Sequence, residues 1–397
     1  MSSTSRLTSV EQRRARLAGR HHLSGDAADP VEATRSVVVL HATDPATVYL
    51  SVLARCADLT LADVSRTLYD DRALVRMMAM RRTLFVAPVE LAPVVHHAAS
   101  LGVAATMRKT LLKQLGTLPT DPELTDDPAE LAAWLEDVEK GVEKAVLTLG
   151  IASGAQIGAA EPRLRTAILP TTDKKYDVRR TVTTQVLALM GAEGRLVRRE
   201  PLGAWTSRQH TWESGAAWWP DGVPDLPLEQ ARADLVEAYL RAFGPVTETD
   251  VAWWTGWPLG VTRKAVVAAG AIDVDGLLVH PDDTDPVDVP EPTAALLPAL
   301  DPTPMGWKQR DWFLPADPAP LYDPYGNVGP TLWWAGEVVG GWAVRKDGTV
   351  ATRVLVDRGV EAARALEAAA RRLQPRMEGA AVTPSFPTPL EKELRIV

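Results

Sequence analysis

Three times along this sequence, short helical segments broken by Pro, Gly and capping residues run into a strand or a tight turn. The first set opens with a helix over residues 1–22, where Leu7, Val10 and Leu17 recur near helical spacing with Arg13, Arg14 and Arg16 between them. Val31 to Leu40 reads as a second helix. Pro45 then disfavours helix at Asp44, and Ala46 to Cys56 forms the next helix with Leu50 and Leu53 inward. Thr60 opens another in a capping-box pattern with Asp63. A basic strand, Arg81 to Ala87, follows, and Pro88 starts a new helix. Three short helices followed by a basic strand is the outline of a winged helix.

The outline returns in Leu131 to Leu149, a short helix from Ser153 through Ile157, and Asp177 to Met190, with Val178, Val182, Val186 and Met190 four apart. Gly194 ends that helix, and Arg195 to Arg199 and Gly203 to Trp212 form a two-stranded wing. Leu228 to Phe243, Thr247 to Trp254 and Gly260 to Ala269 give a third set, turned by Gly244-Pro245 and Gly256-Trp257-Pro258. From about residue 292 the texture changes to short β runs: Ala295 to Leu297, Thr331 to Trp334, Val338 to Val344 and Val350 to Val356. Trp333 to Val339 reads as a hairpin turning at Ala335-Gly336. Several short strands suggest a small barrel or sandwich, closed by an amphipathic helix from Glu361 to Leu373. The expected organisation is therefore α+β and mainly α. Its expected domains are 1–120, 121–225, 226–291 and 292–397, the last a β-barrel with a closing helix.

The 397 residues suffice for a sizeable core, and one cysteine, Cys56, excludes a disulfide framework and a cysteine-built zinc site. Nothing approaches the roughly 18 consecutive apolar residues of a membrane span. The first 20 residues carry five arginines and no apolar segment of a secretory signal, so the expected location is cytoplasmic. The net charge of −8 hides an uneven distribution. Residues 121–143 hold nine acids and one lysine, and 272–291 hold seven acids and no Lys or Arg. By contrast, residues 172–212 contain eight Lys/Arg against four acids. Basic surfaces within an acidic chain fit an electrostatic footprint for nucleic acid, and equally fit charges that merely solvate helices.

No metal constellation, dinucleotide fingerprint, phosphate-binding loop or nucleophile elbow occurs, so neither a metal nor a cofactor is expected. What remains is His41-Ala42-Thr43-Asp44-Pro45 at a helix stop. An imidazole and a hydroxyl two residues apart can face one cleft, hold a water and take its proton. Alternatively His41 satisfies a carbonyl and Thr43 starts a turn. Thirteen Trp against four Phe is a skewed aromatic usage. Indoles can stack on bases, although most belong to cores; Trp333 and Trp334 are the best candidates for contact if their hairpin tip is exposed.

Together these stretches resemble the AlkZ/YcaQ-type winged-helix DNA glycosylases. The resemblance is carried by Arg20-His21-His22-Leu23, by Val37 through Pro45 followed by Tyr49-Leu50, and by Met80 through Phe85. It continues in Gly194 to Arg198 with Gly203 to Thr206, in Phe243 to Thr247 with Asp250 to Gly256, and in Leu297 to Pro302 with Gly306-Trp307-Lys308. It ends in Gly340 to Ala343 and Pro384 to Leu390. It implies three tandem winged helices and a small barrel forming a C-shaped clamp on double-stranded DNA, acting as a monomer. The implied activity is hydrolysis of the N-glycosidic bond of bulky N7- or N3-alkylated purines in base excision repair. Some members unhook crosslinks left by genotoxins, which confers self-resistance. His41 and Thr43 stand where active members carry Gln-x-Gln or Gln-x-Asp. Arg82, Arg179, Arg180, Arg195, Arg198, Arg199, Trp333 and Trp334 are the expected DNA contacts. Three readings stay open: a glycosylase with an altered motif, a catalytically silent DNA-binding protein, and a protein that sequesters a small genotoxin.

Overall fold

The computed structural model of the protein describes residues 7–117, 124–168 and 178–396. Residues 1–6 of the expected first helix, and Asp177 of a later one, lie outside them. The chain runs α1 (Val10–Arg20), α2 (Pro30–Arg35), β1 (Leu40–His41), α3 (Pro45–Arg55), α4 (Leu61–Tyr69), β2 (Leu74–Ala79) and β3 (Thr83–Pro88). Next come α5 (Leu101–Thr117), α6 (Pro128–Leu149), β4 (Ala152–Ser153), α7 (Gly154–Ala160), β5 (Ala167–Ile168), β6 (Arg180–Thr181), α8 (Thr183–Ala192), β7 (Leu196–Pro201) and β8 (His210–Ser214). Then follow α9 (Leu228–Phe243), α10 (Glu248–Thr255), α11 (Leu259–Ala268), β9 (Ile272–Val274) and β10 (Leu277–Val279). The last elements are β11 (Ala294–Leu297), β12 (Thr331–Trp334), β13 (Glu337–Val344), β14 (Val350–Val354), α12 (Gly359–Arg376) and α13 (Pro389–Ile396).

Local chemistry starts several of these helices. Capping boxes form at Thr60 with Asp63, Ser153 with Gln156, and Thr247 with Asp250, each satisfying two backbone donors reciprocally. One order recurs three times: a helix, a short strand or a single bridging residue, two helices and a pair of strands. It appears in α2 to β3, in α6 to β8 with β5 and β6 inserted, and in α9 to β10. The early strand pairs with the later strand of the pair in the first two, β1 with β3 and β4 with β8, and in the third Val246 alone bridges to Leu278 of β10.

The chain forms two compact units: one comprises Met1–Val75, Phe85–Ala92 and Leu228–Val397, the other Arg76–Leu84 and Pro93–Pro227. The core of the second unit gathers Leu135, Val138 and Val142 of α6 with Ile157, Val186, Leu189 and Trp212. In the first unit, the buried ion pair of Arg55 (α3) with Asp301 is bidentate at 2.8 Å on both arms, and Arg55 also donates to the Thr303 hydroxyl at 2.7 Å. Nδ1 of the buried His21 lies 2.9 Å from that hydroxyl and its Nε2 lies 3.0 Å from the Ala242 carbonyl.

Several expectations are corrected. The second helix stops at Arg35: Val37 to Val39 are three β-branched residues in a row, and Val38 sits at φ 66°. The helix expected from Asp177 begins at Thr183, because Arg180 and Thr181 are drawn into strand β6 opposite Ile168 and Ala167. The expected barrel is an open four-stranded antiparallel sheet, β11-β12-β13-β14; no closed barrel occurs among the described residues. Helices α12 and α13 pack on this sheet, so its apolar residues are buried without closure.

The hairpin at the centre of that sheet has the expected turn, Ala335 (φ 49°) and Gly336 (φ 77°). Its tip is not open, however. Trp333 is fully buried and Trp334 nearly so. The Trp333 indole donates to the Thr331 hydroxyl at 2.8 Å, Glu337 pairs with Arg14 and Arg358, and a Cβ on Gly336 would meet the Arg14 carbonyl at 2.6 Å. The tip docks on α1.

Candidate functional site

The His41-Ala42-Thr43 segment is held from both ends. Upstream, His41 pairs in register with Phe85 across β1 and β3, and the two rings meet edge-on at 5.6 Å. Downstream, Pro45 occupies the first turn of α3, where its missing N–H costs nothing. His41 is half-buried, Ala42 buried and Thr43 exposed, so the segment offers the imidazole and the hydroxyl while anchoring its middle. The Thr43 amide donates to His41 Nδ1 at 3.4 Å. A neutral ring that accepts this bond carries its proton on Nε2.

Asp44 follows the motif and is buried, yet its side chain does not cap α3; its Oδ2 accepts from the Ser385 amide at 3.3 Å. Asp44, Thr47, Leu50, Trp342, Pro384 and Glu391 line a small cavity beneath the segment, with room for about one water. Burial pushes the Glu391 carboxyl up to about 7, against hydrogen bonds from Thr388. Neither acid stood out in the sequence, because only the fold brings the C-terminal segment to α3. A larger open hollow of about 620 Å³ in the same unit is lined by charges of both signs, among them Arg20, Glu32, Arg35, Glu90, Glu237 and Arg241. His41 does not line it.

The expected basic contacts separate into two groups. Arg82 is exposed on the turn between β2 and β3 at φ 57°, and Arg179 is exposed just before β6. Arg180 lies on β6 and is half-buried. Arg198, on β7, stacks its guanidinium over Trp212 at 4.7 Å, and burial lowers its pKa to about 10. Arg195 and Arg199, by contrast, are not free charges. Arg195 is bound by Glu139, Glu143 and Glu193, and these partners raise its pKa against the opposing effect of burial. Arg199 is buried beside Glu200 and Glu213. Trp333 and Trp334 are core residues of the sheet, so the idea of two exposed indoles is corrected as well.

A protein-family model, DNA glycosylase AlkZ-like, matches residues 34–375. The chain belongs to the AlkZ-like family. DNA glycosylase AlkZ of Streptomyces sahachiroi has a similar fold: the two structures superpose with a TM-score of 0.67 at 17% identity, over 94% of this chain and 98% of that one. No curated protein matches the sequence. The AlkZ-like match includes the whole His41–Thr43 segment, Arg82, Arg179 and Arg198. The family is one of DNA glycosylases, which ties the chain to DNA repair. Among the described residues no helix is long and apolar enough to cross a membrane.

Proposed function

We propose that this protein is a DNA glycosylase that hydrolyses the N-glycosidic bond of bulky N7- or N3-alkylated purines in double-stranded DNA. The observation that carries the reading is the His41-Ala42-Thr43 segment, fixed between β1 and α3 within the matched region, with its imidazole half-buried and its hydroxyl exposed. An alkylated purine is already cationic and leaves with the electron pair of the C1′–N bond, so no strong acid is required. Water then attacks the oxocarbenium-like C1′, and its proton passes to solvent. Positioning and electrostatics dominate such a reaction, and a donor at His41 with an acceptor at Thr43 suffices to hold the water. His41 thus takes the part of a carboxamide rather than of a base.

The thrice-repeated element order supports three winged-helix units; the C-shaped clamp is proposed from the family resemblance alone, with Arg82, Arg179 and Arg198 as the proposed phosphate contacts. We further propose a cytoplasmic monomer, with crosslink unhooking and self-resistance to a genotoxin as the biological setting. One observation favours a second reading, a catalytically silent DNA-binding protein: Thr43 supplies no charge for the developing cation. Incubating the protein with N7-alkylguanine duplex and reading strand breaks after alkali separates the two. Breaks above the spontaneous rate support the glycosylase; tight binding without breaks supports the silent binder.

A further inference from the structure

A second feature lies in the unit formed by Arg76–Leu84 and Pro93–Pro227, where two arginines from different strands, Arg76 of β2 and Arg198 of β7, line one small cavity with Trp212. Arg76 is 6% exposed, and its Nε and Nη2 are buried with no hydrogen-bond partner. Arg198 is half-buried at the rim and opposes Trp212 across β7 and β8, its guanidinium lying on the indole at 4.7 Å. His210 packs edge-on against the same indole at 4.9 Å; its Nδ1 lies 3.2 Å from the Arg208 carbonyl, while its Nε2 is buried without a partner.

The charge here does not balance. The charged group that acts on Arg198 is another cation, Arg76, and both arginines, after burial, hold His210 in its neutral form, with a pKa lowered to about 4. Buried charge is costly unless paired, and cation–π contact with Trp212 compensates Arg198 only in part. Arg76 has no such contact among the described residues. Guanidinium forks match phosphate oxygens in geometry as well as charge. The cavity has room for about one water-sized group, so a tetrahedral anion would enter with one oxygen and leave the rest at Arg198.

We propose that Arg76 and Arg198 form a built site for one phosphate-class oxyanion, with the Trp212 indole as its wall. Given the DNA glycosylase reading, on which this part rests, the occupant is a backbone phosphodiester; free phosphate has the same chemistry. The site differs from a generic basic wing face, because its deeper arginine is buried and lies on another strand.

The experiment uses the full chain and Arg76→Gln, Arg198→Gln and Arg198→Lys, each checked for folding by circular dichroism. Duplex binding is measured over a salt series, and melting temperature is measured in sodium phosphate against sodium chloride at equal ionic strength. With a backbone phosphate in the site, both Gln variants bind duplex about tenfold more weakly and flatten the salt dependence by about one unit. Arg198→Lys keeps the slope yet binds more weakly, since it retains charge without the fork. With free phosphate in the site, phosphate raises the wild-type melting temperature more than chloride does, and the Gln variants lose that rise. If phosphate acts like chloride on the wild type, and the folded variants bind duplex with unchanged affinity and slope, the proposal is overturned. A wild type that binds no duplex removes the DNA reading alone, and the phosphate arm then decides the site.

Discussion

His41 shows why the position of one proton matters more than the identity of a side chain. In the proposed role, Nδ1 accepts from the Thr43 amide at 3.4 Å and the ring would present a donor, as a glutamine amide does. Thr43 is the weaker half of the pair, because a hydroxyl places no negative charge near a developing oxocarbenium ion. Thr43→Asp is therefore expected to raise the single-turnover excision rate by about tenfold or more, the scale of one electrostatic contact at a transition state. An unchanged rate would mean that the cation is stabilised elsewhere. Glu391 gives a separate, stability-based test. Its folded pKa of about 7 lies above the ordinary 4.5, so the unfolded chain releases its proton first. Stability must then fall as pH rises from about 4.5 to about 7, by on the order of 3 kcal/mol, and level off above. Glu391→Gln keeps an oxygen for the Thr388 amide and removes the ionisation. Its melting temperature is expected to exceed that of the wild type at pH 8 and to match it near pH 4.5. Equal pH profiles would show that Glu391 ionises freely.

At the scale of elements, α3 carries both the motif and its anchor: Pro45 starts the helix below Thr43, and Arg55 ends it on Asp301. Removing one partner of a fully buried pair strands the other charge. Arg55→Met is expected to cost about 3–5 kcal/mol in urea unfolding, and adding Asp301→Leu is expected to recover much of it. A loss below 1 kcal/mol would mean that water reaches Asp301. The contrast between helices and sheet also explains what the sequence disclosed. Capping boxes such as Thr60 with Asp63 are decided within four residues, so helix starts were legible. The burial of Trp333 is not local: its indole stacks on Phe313 at 5.5 Å and α12 packs across β12. Whether four strands close into a barrel is likewise settled by what packs on the sheet, which strand patterning does not encode.

For the whole molecule, net charge is a poor guide to partners. Counting arginines in the basic stretch overstates its free charge, because Arg195 and Arg199 are neutralised by acids from within the same unit. The candidate motif was readable because its three residues are contiguous; the pairing of Arg76 with Arg198 was not, because it joins strands more than 100 residues apart. Each exposed cation that neutralises a phosphate contributes about 0.9 to the slope of log K against log salt. Arg82→Ala and Arg179→Ala are each expected to flatten that slope by about one unit in duplex titrations. Arg199→Ala is expected to leave the slope alone and lower stability, since it removes a buried cation beside Glu213 and Glu200. The reverse pattern would place the duplex on another face.

In the proposed function, the His41–Thr43 segment positions water for excision of an alkylated base. Single-turnover release of N7-alkylguanine from duplex DNA, followed for the wild type, His41→Ala and His41→Gln at matched DNA occupancy, tests it most directly. The wild type is expected to release base, His41→Ala to lose at least about tenfold, and His41→Gln to retain or exceed the wild-type rate. Full activity in His41→Ala would contradict the claim, as would a wild type that binds the lesion and releases nothing.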